Sequence, residues 1–176
     1  RPVNAHLQNA APMGEAQITT TGDEVRIFLD MTGFAAMTHR VHIHGFAGDD
    51  PQEARCPPAG ADADFDGAVD VVEARDASGA PLIPLNADPV ALDPGGAGYP
   101  VADETGALDY VVALSEPALR EAFETRHDGP VAFSRRVLIV HGLRDAERLP
   151  VDVRSAGDAP AHETLPVACA ELGAEE

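Results

Sequence analysis

The amino-acid sequence predicts an all-β fold, an antiparallel sandwich or barrel with long loops and one short helix. Two observations support this prediction. Several short segments alternate between apolar and polar residues with the period of two that is typical of strands. The segments between them are rich in Gly, Pro and Asp, which break regular structure. The chain has 176 residues, so we treat 1–176 as a single domain with a substantial core.

Five segments have the strand pattern. Residues 24–31 alternate most regularly, with Val25, Ile27 and Leu29 on one face. The preceding segment, 16–22, is close enough in sequence to pair with 24–31 as a hairpin. The predicted strands, in chain order, are 16–22, 24–31, 40–46, 108–114 and 136–143.

One segment, 115–127, has the apolar spacing of a helix. Ser115 is a suitable amino-terminal cap, and Pro117 is tolerated in the first turn. Leu119 and Phe123 then lie on the same face of this helix. The rest of the chain is predicted to form loops, and loops of such length usually carry function in a compact domain. The main loops are 47–70, 74–81, 86–106 and 144–163.

Charge restricts the partners of the protein. The formal net charge is −18, and the twelve basic residues are all arginines. An acidic surface of this kind repels phosphate, so nucleic acids and anionic membranes are not expected partners. No apolar run approaches the length that crosses a bilayer. The sequence contains no signal for an oligomeric state.

Two cysteines, Cys56 and Cys169, lie far apart in the sequence. In a reducing compartment they would be two buried thiols, and in an oxidising compartment they would form a disulfide. Spacing alone favours neither alternative. The sequence begins with Arg1 rather than Met, which leads us to expect a signal peptide that was removed or left out.

Three of the seven histidines lie in the segment "THRVHIHGF" at 38–46. His42 and His44 are two residues apart in a predicted strand, so both rings point the same way, roughly 7 Å apart. This arrangement suits two ligands of one metal ion, although surface histidines are the commoner case. His141 ends the apolar strand "VLIV" and is therefore held by a rigid backbone.

Residues 62–73, "DADFDGAVDVVE", match the twelve-residue calcium loop of EF-hand proteins at every position. Gly67 stands where the chain must turn sharply. The alternative is a solvated acidic loop in an acidic protein. Pro57 and Pro58 exclude the usual entering helix, so we predict a structural calcium loop set into another fold. The predicted oxygen donors are the side chains of Asp62, Asp64, Asp66, Asp70 and Glu73 and the backbone carbonyl of Ala68.

Three segments resemble those of Cu/Zn superoxide dismutases. "HRVHIHGFAGD" at 39–49 resembles the copper-binding segment of that family, and "RRVLIVHGLRD" at 135–145 resembles the strand that carries another copper ligand. "LPVACAELG" at 165–173 resembles the carboxy-terminal segment with the disulfide cysteine. The order of these motifs is still more similar to that in a group of secreted bacterial proteins with a calcium-like loop. That resemblance implies no established activity.

The resemblance implies an eight-stranded Greek-key β-barrel with a copper site. It makes His42, His44 and His141 the copper ligands. It makes His39 a residue that is not itself a ligand but positions the ligands. It also implies a disulfide between the two cysteines, which would favour a secreted or periplasmic location. A fourth copper ligand would come from one of the remaining candidates, which are His6, His127, His162 and water.

The sequence also departs from the family pattern. Between His44 and His127 there is no histidine, so the zinc ligands and the histidine that bridges the two metals are missing. Pro166 stands three residues before the last cysteine, where the family has an arginine that guides superoxide. Dismutase activity therefore does not follow from the resemblance. Arginines near the histidine motifs are expected on the solvated surface, and they are Arg40, Arg135, Arg136 and Arg144.

Three functions remain open on the sequence. The first is a copper-binding protein that handles or buffers the metal, and copper leads on affinity for imidazole ligands. The second is a copper-only redox enzyme acting on superoxide, which the net charge of −18 repels at long range. The third is a calcium-stabilised structural or interaction module whose histidines are vestigial. Zinc in the same site would instead activate water.

Overall fold

A computed structural model describes residues 1–173 and shows a mostly β protein. Its seven strands form two antiparallel sheets. The three-stranded sheet has the order β1-β2-β5, and the four-stranded sheet has the order β4-β3-β6-β7. The strands are β1 (Met13–Thr21), β2 (Glu24–Thr32), β3 (Arg40–Gly45), β4 (Ala80–Pro84), β5 (Leu108–Ser115), β6 (Val137–His141) and β7 (Pro166–Glu171).

This architecture agrees with the predicted all-β sandwich but not with a closed barrel. Within the described residues, the strands divide between two separate sheets. There are seven strands, whereas the family resemblance implied eight. A barrel closes only when its first and last strands exchange backbone hydrogen bonds. The Greek-key topology of the family stays a prediction.

All five predicted strands are present, with ends that differ by at most three residues. The sequence missed β4, which lies partly in the predicted loop 74–81. Its two prolines, Pro81 and Pro84, argue against a strand in the sequence, because proline is rare in strands and tolerated mainly at a sheet edge. β4 is an edge strand that pairs only with β3 within the described part of the chain.

The prediction of a single helix is wrong. The predicted segment 115–127 does form a helix, α2 (Glu116–His127), with Ser115 as its amino-terminal cap. Two further helices are present, α1 (Val71–Ser78) and α3 (Ala161–Thr164), and both lie where loops were expected. Each is too short for apolar periodicity to emerge from the sequence.

The main core lies between the two sheets. In β2, Val25, Ile27 and Leu29 are buried, and the alternate residues are largely exposed, as the sequence predicted. Leu119 and Phe123 of α2 join the same core. The facing residues of the four-stranded sheet include Val41, Ile43, Leu138 and Val140.

A second core covers the opposite face of the four-stranded sheet. Val137 and Ile139 of β6 pack there against Val69, Ala74 and the disulfide-bonded cysteines. β6 is therefore buried on both faces, which is why its sequence is an unbroken apolar run rather than an alternating one. The loops that form this outer layer also enclose His42 and His44.

Arg136 is buried, which corrects the expectation of a solvated residue. Only 2% of its surface is exposed. Its guanidinium donates to the backbone carbonyls of Val131, Pro130 and Phe46, and it lies over the ring of Phe123. These contacts replace the hydration that a buried charge loses.

Candidate metal centre

Neighbouring strands bring three histidines together. β3 carries His42 and His44, and the adjacent strand β6 ends at His141. One ring nitrogen from each residue lies within 4.8 Å of the corresponding nitrogens of the other two. All three side chains are buried. The sequence prediction of a three-histidine cluster is therefore confirmed.

His44 and His141 face each other through their Nε2 atoms. Nδ1 of His141 lies 2.8 Å from the carbonyl oxygen of Thr164, and Nδ1 of His44 lies 3.4 Å from that of Gly79. Because a carbonyl oxygen only accepts hydrogen bonds, the proton of each neutral ring belongs on Nδ1. The Nε2 atoms of these two rings are then both lone-pair donors, and they lie 3.1 Å apart.

This Nε2 pair has the geometry of two ligands of one ion. Two lone pairs at such a distance repel each other, and a cation between them turns the repulsion into attraction. Two imidazole nitrogens that bind one metal at about 2.05 Å lie roughly 3.3 Å apart in tetrahedral coordination. The observed 3.1 Å between the nitrogens of His44 and His141 is close to that value.

His42 contributes a third lone pair through its other nitrogen. Nε2 of His42 lies 2.8 Å from the hydroxyl of Tyr99, which itself donates to the carbonyl of Pro94 at 2.9 Å. The hydroxyl has one proton, so it accepts from His42, and Nε2 carries the ring proton. Nδ1 of His42 is buried and has no hydrogen-bond partner within the described chain.

The electrostatic environment keeps all three rings neutral. Burial lowers the pKa of His42 and of His44 well below the ordinary value, and the neighbouring histidines add to the effect. Burial also lowers the pKa of His141 to about 4. Neutral imidazole is the form that binds a metal ion, so the site needs no deprotonation at neutral pH.

His39 lies behind the cluster rather than in it. Its ring nitrogens are 3.2 Å from the carbonyl oxygen of His141 and 2.9 Å from that of Ala35. It also packs edge-on against the ring of Phe34. His39 thus lies against the backbone carbonyl of His141, and its supporting role stays a prediction from the family resemblance.

The remaining histidines lie apart from the cluster. His127 packs on Phe123, and its Nε2 donates to the carbonyl of Leu82. His6 and His162 also lie outside the group of three in the described residues. The fourth ligand stays open, as it was on the sequence.

The cluster borders a cavity of about 230 Å³ that leads to solvent. Its walls are mostly apolar, and Arg40 brings the one cationic side chain among them. Arg40 lies over the ring of Tyr99 and pairs with Glu163 at 3.4 Å. The apolar wall residues are Val71, Pro81, Pro94, Ala156 and Ala159.

Three carboxylates of the predicted calcium loop lie together. One oxygen from each of Asp62, Asp64 and Asp66 is within 4.8 Å of the others. Gly67 has a φ of +95°, the turn for which the sequence pattern requires glycine. Burial raises the pKa of Asp66, and the neighbouring carboxylates raise it further.

Asp70 and Glu73 have a different role in this structure. They form a capping box at the start of α1, in which the side chain of Asp70 accepts from the backbone of Glu73 and the reverse bond is also present. Arg154 donates to Asp70 at 2.8 Å and to Glu73 at 3.4 Å. Their role as calcium ligands, like that of the Ala68 carbonyl, stays a prediction.

α1 connects the acidic loop to the histidine cluster. Its first residue, Val71, lines the histidine cavity, and Gly79, directly after its last residue, accepts the hydrogen bond from His44. This connection was not predicted from the sequence, because 74–81 has the composition of a loop. The capping pair Asp70 and Glu73, three residues apart, was the signal that could have found the helix.

The two cysteines form a disulfide bond. Spacing alone had left this open, and the structure agrees with the pairing that the resemblance implied. The bond joins the loop that contains Cys56 to Cys169 of β7. Arg1 reinforces the junction, because its amino group donates to the carbonyl of Cys169 and its guanidinium to that of Cys56.

Comparison with protein-family models and with curated proteins returns no match for this chain. The likeness to Cu/Zn superoxide dismutases thus stays a prediction from its sequence motifs. Within residues 1–173, no helix is long and apolar enough to cross a bilayer.

Proposed function

We propose that this protein binds a copper ion through Nδ1 of His42 and Nε2 of His44 and His141. The observation that carries this proposal is the convergence of three buried ring nitrogens, one from each histidine, while the other nitrogen of each ring lies against a carbonyl or hydroxyl oxygen. Such anchoring of the second nitrogen is the usual support of metal-binding histidines. Among common divalent ions, copper binds imidazole sites most tightly.

The same proposal includes a secreted or periplasmic location and a role in copper handling or buffering. The disulfide supports an oxidising compartment, because such bonds rarely persist in a reducing cytoplasm. A three-histidine site that opens on a cavity can accept and release its metal without unfolding. When bound, copper would supply one-electron redox chemistry at this position.

Metal analysis of the purified protein tests the proposal. We expect about one equivalent of copper per chain after loading and dialysis, and less than about a tenth of that in the His42→Ala/His44→Ala variant. His127→Ala is the matched control, since it removes a partly buried histidine outside the cluster. Equal copper in the double variant and the wild-type protein would overturn the proposal and favour a structural module with vestigial histidines.

A copper-only redox enzyme acting on superoxide is the second candidate. The observation that favours it is Arg40, whose positive charge borders the histidine cavity in a protein of net charge −18. A local cation offsets long-range repulsion of an anion only near the site. We expect the copper-loaded protein to consume superoxide faster than its Arg40→Gln variant. A rate no faster than the background loss of superoxide in solution would exclude this enzyme and leave copper binding intact.

We further propose that the acidic loop binds calcium and stabilises the fold. Asp62, Asp64 and Asp66 supply the oxygen donors that this ion prefers, and their mutual repulsion falls when a cation binds. We expect calcium to raise the melting temperature relative to a chelator. Asp64→Asn should abolish this shift, whereas Asp76→Asn, on the exposed side of α1, should leave it unchanged. A calcium-independent melting temperature would contradict the proposal.

A further inference from the structure

β1 is an edge strand, and its outer side pairs with no other strand in the described residues. β1 forms one edge of the three-stranded sheet and pairs only with β2 in the described residues. Seven of its nine residues are exposed, and only Ala16 and Ile18 are partly buried. An edge strand presents unpaired backbone N–H and C=O groups, which readily pair with another strand.

The other outer strands of the molecule are protected or charged. The edge of β7 is covered by the amino-terminal segment, where Val3 donates to the carbonyl of Val167. β4 contains Pro81, which cannot donate to a further strand. β5 carries Asp109 directly beside Asp30 of β2. These features are the usual means of preventing edge-to-edge association. β1 has no proline and no covering segment in the described residues, and its one charged residue, Glu15, lies opposite Asp30 of β2.

β1 is also nearly uncharged in a strongly acidic protein. Its sequence, "MGEAQITTT", contains one ionisable side chain, Glu15, whereas the chain as a whole has a net charge of −18. Two copies of an acidic protein repel each other, and this repulsion is weakest where the approaching surfaces are neutral. The charge distribution therefore favours contact between two copies through β1.

We propose that two copies of this chain associate through β1, in antiparallel register centred on Gln17. In this register Glu15 lies opposite Thr19 of the other copy, so no two like charges meet. Ala16 lies opposite Ile18, and both belong to the face of β1 that points into the sandwich. A two-fold axis at Gln17 makes the contact self-complementary and closed, which yields a dimer rather than a fibre.

The paired strands would join two three-stranded sheets into one continuous six-stranded sheet. On its inner side, the contact would cover the partly exposed side chains of Ala16 and Ile18. These border an open groove at the β1 side of the sandwich, together with Phe133 and Leu172. The association does not involve the histidine cavity and is independent of the function proposed above.

Disulfide cross-linking of single-cysteine variants tests the register. Both native cysteines are already bonded to each other, so a new thiol has no partner within its own chain. In the proposed register, Gln17→Cys places two thiols opposite each other, with Cα atoms about 4.5–5.5 Å apart, within the range of a disulfide. We expect rapid formation of a covalent dimer. Val111→Cys, at an exposed position of β5, is the matched control.

Sedimentation of the unmodified protein gives a second, independent test. We expect a concentration-dependent dimer of the 18.4 kDa chain that is strengthened by salt, because salt screens the repulsion between acidic copies. Gln17→Glu should weaken the dimer by roughly fivefold, since it places two carboxylates opposite each other. Copper content should not change. A monomer at all concentrations, or equal cross-linking of the two cysteine variants, would overturn the proposal.

Discussion

Tyr99 determines which nitrogen of His42 is free to bind a metal. The tyrosine hydroxyl donates to the carbonyl of Pro94, and so it can only accept from His42. Burial raises the pKa of Tyr99 to about 12, which keeps the hydroxyl protonated at any physiological pH. The sequence contained no sign of this contact, because Tyr99 lies in the predicted loop 86–106, fifty-seven positions from His42.

Replacing Tyr99 should weaken metal binding. Tyr99→Phe removes the hydrogen-bond acceptor of His42, so the ring is no longer held with Nδ1 unprotonated. We expect a roughly tenfold loss of copper affinity, measured by competition with a chelator of known affinity. Tyr110→Phe is the matched control, because it removes a hydroxyl that bonds to the carbonyl of Asn86, away from the cluster. Equal losses in the two variants would argue against a specific role for Tyr99.

The buried histidines should make the metal-free protein sensitive to acid. His141 has a pKa of about 4 in the folded protein, and an unfolded histidine has a pKa of about 6.5. Between these values the unfolded chain binds more protons, so the free energy of unfolding falls as the pH drops from about 6.5 to 4. His141 alone should contribute roughly 3 kcal/mol to this loss across the window.

Urea unfolding of metal-free protein between pH 7 and pH 5 measures this effect. His141→Gln has no titrating group at the position and should show a shallower dependence of the unfolding free energy on pH. His42 and His44 act in the same direction, since burial lowers their pKa as well. Identical pH dependence in the variant and the wild-type protein would contradict the prediction.

At the scale of elements, α1 is the helix on which both candidate sites depend. It begins at Val71, within the loop 62–73, and is followed directly by Gly79, whose carbonyl accepts the hydrogen bond of His44. Its amino terminus is fixed by Asp70, which is only 2% exposed and also accepts from the backbone and side chain of Arg154. Burial alone raises the pKa of Asp70, but these hydrogen bonds outweigh it and hold the pKa below its ordinary value.

Removing this cap should destabilise the protein. We expect Asp70→Ala to lower the free energy of unfolding by about 1–2 kcal/mol, because the first backbone N–H groups of α1 lose their acceptor. Urea unfolding followed by circular dichroism in the presence of a chelator measures the change without any contribution from calcium. Ser115→Ala, which removes the exposed and longer cap bond of α2, should have a smaller effect. The reverse order would refute this account.

Sequence patterns predicted some elements well and others poorly, for a physical reason. The strand 24–31 alternates because one face packs on the core and the other contacts water. Its pattern of buried and exposed residues can therefore be predicted from its own sequence. β4 carries no such pattern, since it is a short edge strand with two prolines. Its place in the sheet depends on pairing with β3, which is far away in the sequence.

At the scale of the whole molecule, the disulfide ties the outer layer to the four-stranded sheet. It closes a separation of 113 residues between Cys56 and Cys169. The core around it is small and includes Val69 and Ala74, which adjoin the acidic loop and α1. The layer of loops over the histidine cluster is thus attached to the sheet by a covalent bond as well as by packing.

Loss of this bond should cost much of the stability of the fold. For a loop of this length, the chain-entropy model gives about 4–5 kcal/mol of stabilisation. We expect Cys56→Ser/Cys169→Ser to lower the free energy of unfolding by that amount in urea titrations. The wild-type protein in excess reductant should unfold at the same urea concentration as the variant. A loss of less than about 1 kcal/mol would show that the folded core holds the loops without the bond.

The sequence alone determined the strand pattern, the shared face of His42 and His44 and the acidic register of the loop. These properties depend on residues close together in the chain, where the period of a strand or the spacing of a motif is visible. His42 and His44 share a face because they are two residues apart, whatever the rest of the fold does.

Only the tertiary structure decided what depends on contacts between distant segments. It separated the strands into two sheets, brought His141 to the other histidines, and selected a different nitrogen on His42 through Tyr99. It also buried Arg136 among backbone carbonyls. Packing and hydrogen bonds across the fold fix these features, and the local sequence has no periodic signal for such long-range partners.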